Sequence, residues 1–159
     1  MKTHVHSAGI TTLSAWRPQV AGLACHLLGI DTTGELARSP FRGALFEGFI
    51  AAEIAKAQVN AGSRRELYHF RDEQGLEVDF LVPGRAGAVA LVECKAGRTV
   101  TPSMAVPMQG LAVALKSKRA KAAGTTMFLV HQSPLAGSPT PAVAPGVRAL
   151  PWQEFLETL

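Results

Sequence analysis

Apolar residues along this chain come in short runs broken by Gly, Pro and charge, and the spacing inside each run decides what it can form. Between residues 40 and 59, Leu45, Phe46, Phe49, Ile50 and Ile54 recur every three or four positions, the stripe of an amphipathic helix. Ser39 as N-cap and Pro40 at the first helical position introduce it, and Gly62 closes it. A smaller helix is predicted near 19 to 29. The pattern then changes period. Strands are predicted at 67 to 72, at Glu77-Val78-Asp79-Phe80-Leu81-Val82 and at Ala88-Val89-Ala90-Leu91-Val92-Glu93-Cys94-Lys95, separated by Glu73-Gln74-Gly75 and by Pro83-Gly84-Arg85-Ala86-Gly87. A helix from about 102 to 121 and a buried strand, Thr126-Met127-Phe128-Leu129-Val130-His131, follow; after a helical crossover that strand lies parallel to its predecessor. Residues 133 to 146, rich in Pro, Gly, Ser and Ala, read as a loop.

The order is helix, three-stranded meander, helix, strand: an α/β fold with a mixed central sheet flanked by helices. At 159 residues and 47% hydrophobic content the chain fills one core. We read residues 19–159 as a single domain and residues 1–18 as an extension matching nothing familiar. No apolar run spans a bilayer and no secretory leader opens the chain, so a soluble cytoplasmic protein without membrane contact is expected. Cys25 and Cys94 lie far apart outside any zinc spacing and are expected as buried free thiols.

Candidate chemistry sits on the second hairpin. A turn centred near Ala86 sets Asp79 opposite Glu93 and Glu77 opposite Lys95, unless the register slips by one. Strand alternation puts Glu93 and Lys95 on one face, and directly opposed side chains have Cβ atoms roughly 5 Å apart. Two facing carboxylates repel unless a cation lies between them. Mg²⁺ or Mn²⁺ suits this, because such ions take oxygen ligands and are held by only one or two carboxylates plus substrate phosphate. The metal would activate water and phosphate, while Lys95 orients the water or stabilises the transition state. Isolated Asp and Glu-x-Lys motifs also recur on solvated sheet faces. Here they lie in apolar strands, where unpaired charge is costly.

These residues resemble the PD-(D/E)XK nuclease superfamily, which places an acid on one strand and Glu-x-Lys on the next; the resemblance assigns Asp79 and Glu93 to metal and Lys95 to catalysis. It also implies a restriction-endonuclease-like α-β-β-β-α-β core. Gly43-Ala44-Leu45-Phe46-Glu47 is similar to that superfamily's helical Gly-x-x-x-Glu pattern and makes Glu47 a further catalytic candidate. A closer resemblance covers roughly residues 20 to 131: the C-terminal domain of uncharacterised function of prokaryotic AAA-type ATPases. It rests on Gly22-Leu23-Ala24, Leu27-Leu28-Gly29-Ile30, Gly43-Ala44-Leu45-Phe46-Glu47, Tyr68-His69-Phe70-Arg71-Asp72, Gly75-Leu76-Glu77-Val78-Asp79-Phe80 and Glu93-Cys94-Lys95-Ala96-Gly97. It implies an AAA-type ATPase as partner, while the nuclease resemblance implies a second copy of the chain. With no Gly-x-x-x-x-Gly-Lys-Ser/Thr loop there is no ATP site of that kind, and the chain reads as a detached or truncated C-terminal domain.

A net charge of +4 and pI near 9.4 favour polyanions such as DNA. Lys116, Lys118, Arg119 and Lys121 cluster at the end of the predicted second long helix, and Arg71 shares a strand face with His69; each is a candidate phosphate contact. A basic helix C-terminus also serves the helix dipole. With 6% aromatic residues and no stacking series, any nucleic-acid contact is expected to be mainly electrostatic. Glu53 is expected to pair with a base or join the site, and Gln109 is a weak site candidate. Two function classes follow: a Mg²⁺-dependent nuclease, or a noncatalytic nuclease-like interaction or assembly domain.

Overall fold

The computed structural model describes residues 9–12, 20–118, 124–132 and 143–159. Six strands form one sheet in sequence order: β1 (Gly9–Thr12), β2 (Tyr68–Arg71), β3 (Glu77–Pro83), β4 (Val89–Lys95), β5 (Thr125–His131) and β6 (Val147–Pro151). Pairing is antiparallel from β1 to β4 and parallel from β4 to β6, so the sheet is mixed. The helices are α1 (Val20–Leu27), α2 (Thr33–Arg38), α3 (Arg42–Asn60), α4 (Val106–Lys118) and α5 (Trp152–Leu156). The run α3-β2-β3-β4-α4-β5 follows the order read from the sequence.

Two cores cover the two faces of the sheet. On one, Phe46, Ile50 and Ile54 of α3 pack on Phe80, Val92, Cys94, Phe128 and Val130, with Phe155 of α5 fully enclosed. On the other, Met108, Leu111 and Ala112 of α4 pack on Phe70, Val78, Leu81, Leu91 and Leu129. Central strands buried on both faces read as near-continuous apolar runs, which is why β4 and β5 stand out in the sequence.

The long helix starts later than Ser39 and Pro40 suggest. Ser39 is instead the C-cap of the short α2, its hydroxyl accepts the Phe41 N–H at 3.2 Å, and α3 begins at Arg42 behind Phe41. Gly62 does close α3, at φ 66°, where the bonds Ser63 N–H to Gln58 O and Gly62 N–H to Val59 O form the paired termination typical of glycine. The helix after β4 begins as a 3₁₀ turn at Pro102–Ala105 before α4. The extension assigned to residues 1–18 contributes the edge strand β1, and β6 and α5 follow the stretch read as a loop.

Candidate active site

The β3–β4 ladder pairs Phe80 with Val92, Leu81 with Leu91 and Val82 with Ala90, the register that the turn at Ala86 predicts. The ladder stops at Phe80, and Asp79 is the first residue beyond it. There its Oδ2 accepts the Cys94 backbone N–H at 2.7 Å, so a side chain satisfies an amide that the strands no longer pair.

Asp79 is also turned by an irregularity on its other side. Tyr68 pairs with Leu81 but Phe70 with Val78, so β3 carries one extra residue against β2 at Asp79 and Phe80. Such a bulge re-aims side chains. Val78 and Leu81 remain in the α4 core and Phe80 enters the α3 core, while Asp79 lines a cavity of about 270 Å³ with Glu47 of α3 and His69 of β2. His69 spans the bulge: its Nδ1 lies 3.2 Å from the Asp79 carbonyl oxygen, and Nε2 lies 3.3 Å from Glu77 Oε1.

On β4, Glu93 and Lys95 share a face, and Lys95 Nζ donates to Glu93 Oε1 at 2.6 Å. Glu93 is only 6% exposed, and its Oε2 is buried without a hydrogen-bond partner. Burial, reinforced by the charge of Asp79, pushes its carboxyl up to about 7 against the pull of Lys95. Burial likewise raises Asp79, partly offset by the Cys94 amide and Lys95, and raises Glu47, with Asp79 adding to it. For Lys95, burial works against the ammonium, but Glu93, Asp79 and Glu47 outweigh it and hold its pKa above the ordinary lysine value. The four groups therefore form one electrostatic unit.

Glu93 Oε2 is the observation that fits a cation: a buried carboxylate oxygen lacking a donor, beside a second carboxylate. Among the described residues no three His, Cys, Asp or Glu side chains converge to hold a metal by themselves. A Mg²⁺ site of two carboxylates completed by water and phosphate does not require three.

Other candidates lie elsewhere. Arg71 is exposed and 3.8 Å from Glu77. Lys116 is exposed on α4, whereas the Lys118 side chain, Arg119 and Lys121 lie outside the described residues. Glu53 pairs with Lys56 one turn along α3, and Gln109 donates to the Pro145 carbonyl at 3.4 Å; neither joins the site. Cys25 is half-buried rather than buried, and both cysteines are free. Burial and the surrounding carboxylates hold the Cys94 thiol well above its ordinary pKa, which makes it unreactive. His131 is 1% exposed beside Lys95 in the β4–β5 register; its Nδ1 donates to the Gln132 carbonyl at 2.7 Å, leaving Nε2 without a partner.

The chain belongs to the family described as a domain of unknown function, DUF4143, which matches residues 42–133. That stretch is more than half of the chain and carries Glu47, Asp79, Glu93 and Lys95. Uncharacterized proteins of Mycobacterium bovis and Mycobacterium tuberculosis are each 36% identical to it over 98 residues, covering 62% of this chain and 21% of the relative. The chain thus spans about a fifth of the length of these relatives. No solved structure matches.

Proposed function

We propose that the domain is a Mg²⁺-dependent phosphodiesterase of PD-(D/E)XK type acting on DNA, with α3-β2-β3-β4-α4-β5 as a restriction-endonuclease-like core. The observation that carries this reading is Glu93, buried with one oxygen on the Lys95 ammonium and the other unpartnered, next to Asp79. Glu93 and Asp79 would hold Mg²⁺ or Mn²⁺. When bound, the ion supplies charge neutralisation and Lewis-acid activation of phosphate and water. Lys95 stays charged in this cluster and offers further N–H donors to a phosphoryl oxygen or to the attacking water. Glu47, with its raised pKa, faces Asp79 across the cavity as acceptor for a water proton.

Calorimetric titration with Mg²⁺ and Mn²⁺, paired with cleavage assays on plasmid and single-stranded DNA, tests the reading. Wild type is expected to bind metal and cut; Asp79→Asn and Glu93→Gln lose both. Lys95→Ala retains binding but loses turnover. Absence of metal binding in the wild type, with the chain folded, would defeat the catalytic reading. The noncatalytic reading, an interaction module for an AAA-type ATPase or for a second copy, would then stand. It draws on Leu23, Leu27 and Leu28, exposed apolar residues on and just after α1, and on the much greater length of the relatives.

A further inference from the structure

A second cavity, of about 500 Å³, opens where the three parallel strands end. Arg98 lies just beyond β4 and Gln132 follows β5, while Trp152 and Gln153 open α5 directly after β6. Arg42 and Phe46 of α3 form the facing wall. Open sheets with parallel strands bind ligands beyond the carboxyl ends of those strands, and this volume is that of a small-molecule site.

The lining is chemically divided. Trp152 stands edge-to-face with Phe49, ring centroids 5.1 Å apart at 86°, which fixes the indole in place. The Gln132 side chain adds an amide group, which both donates and accepts and so suits the edge of a heterocyclic base. Two guanidinium groups supply charge. Arg42 is anchored by Nη2 to the Ala96 carbonyl at 2.5 Å and by Nη1 to the Ala37 carbonyl at 3.3 Å, using part of its five-donor fork; Arg98 stands exposed. An aliphatic acid would use the apolar wall and one cation but leave the Gln132 amide and the rings without a role. We infer that this cavity binds a nucleoside monophosphate, the base against Trp152 and Phe46 and the phosphate at Arg98 and Arg42.

None of Asp79, Glu93 or Lys95 lines this cavity, so the inference stands whether or not the chain cleaves DNA. Phe46 and Glu47 are consecutive on α3 and line the two different cavities.

The test is an NMR titration of the full chain with AMP, adenosine and inorganic phosphate, in chelator so that no divalent ion contributes. AMP is expected to bind at least about tenfold more tightly than adenosine or phosphate, and to shift the Trp152 indole resonance. Arg98→Gln, at an exposed position, should reduce AMP binding about tenfold and leave adenosine binding unchanged. Asp79→Asn should bind AMP as wild type does. Equal binding of AMP and phosphate, an unmoved Trp152, an unaffected Arg98→Gln, or loss of AMP binding in Asp79→Asn would each overturn the assignment. Cleavage by the same preparations with Mg²⁺ reports separately on the nuclease.

Discussion

Glu93 carries the sharpest residue-level expectation. Its pKa of about 7 lies above the ordinary 4.5, so between those values the native chain keeps a proton that the unfolded chain has lost. Stability therefore falls as pH rises across that window, and the loss is complete above the folded pKa. Glu93→Gln removes the fall and should be more stable than wild type at pH 8 by about 1–3 kcal/mol, read from urea melts at pH 5 and 8. Parallel melts of variant and wild type at both pH values would refute the buried ionisation. The same linkage predicts that Mg²⁺ binding near pH 6.5 releases protons, visible as a buffer-dependent calorimetric heat. Asp79 combines two opposed effects. Alanine relieves repulsion with Glu93 but strands the Cys94 amide, costing about 1–3 kcal/mol; asparagine keeps an acceptor and should cost less in a thermal melt. Asp79, Glu93 and Lys95 were legible because a two-residue period and a short turn fix which positions share a face and which oppose. The aim of Asp79 was not, since it depends on the β2 partner inserting one residue fewer. Its trace in the sequence is the pair Val78 and Leu81, three positions apart yet in the same core.

Elements were legible where a period had length to express itself. Nineteen residues of α3 and seven each of β3, β4 and β5 show their apolar rhythm; five residues of α5 and four of β1 do not. The start of α3 was misplaced because Ser39-Pro40 has the composition of a helix entry while the backbone at Ser39 is extended, ending α2. That short helix left its own signature in Thr32 and Glu35, a reciprocal capping box with Glu35 accepting the Thr32 N–H at 2.9 Å. The end of α3 is a stronger test. A Cβ on Gly62 would meet nothing within 4 Å, so Gly62→Ala isolates the cost of a left-handed backbone, about 1 kcal/mol by chemical denaturation. No loss would mean that the helix ends some other way.

At the scale of the whole molecule, the mixed sheet carries both cavities: one beside the bulge where antiparallel pairing stops, the other beyond the parallel ends. Among the described residues no helix is long and apolar enough to cross a membrane. β1 covers the β2 edge, and deleting residues 1–12 should lower the thermal midpoint and promote concentration-dependent association, measurable by light scattering. An unchanged midpoint would show that the edge is protected without β1. This contribution was hidden because Gly9-Ile10-Thr11-Thr12 acquires meaning only against a distant partner. One consequence reaches across the molecule. Phe46 and Glu47 are neighbours on α3 and line different cavities, so one helix serves as a party wall between the two hollows: a shift of the whole helix would be felt on both sides, whereas a side chain that changes rotamer on one side leaves the other as it was.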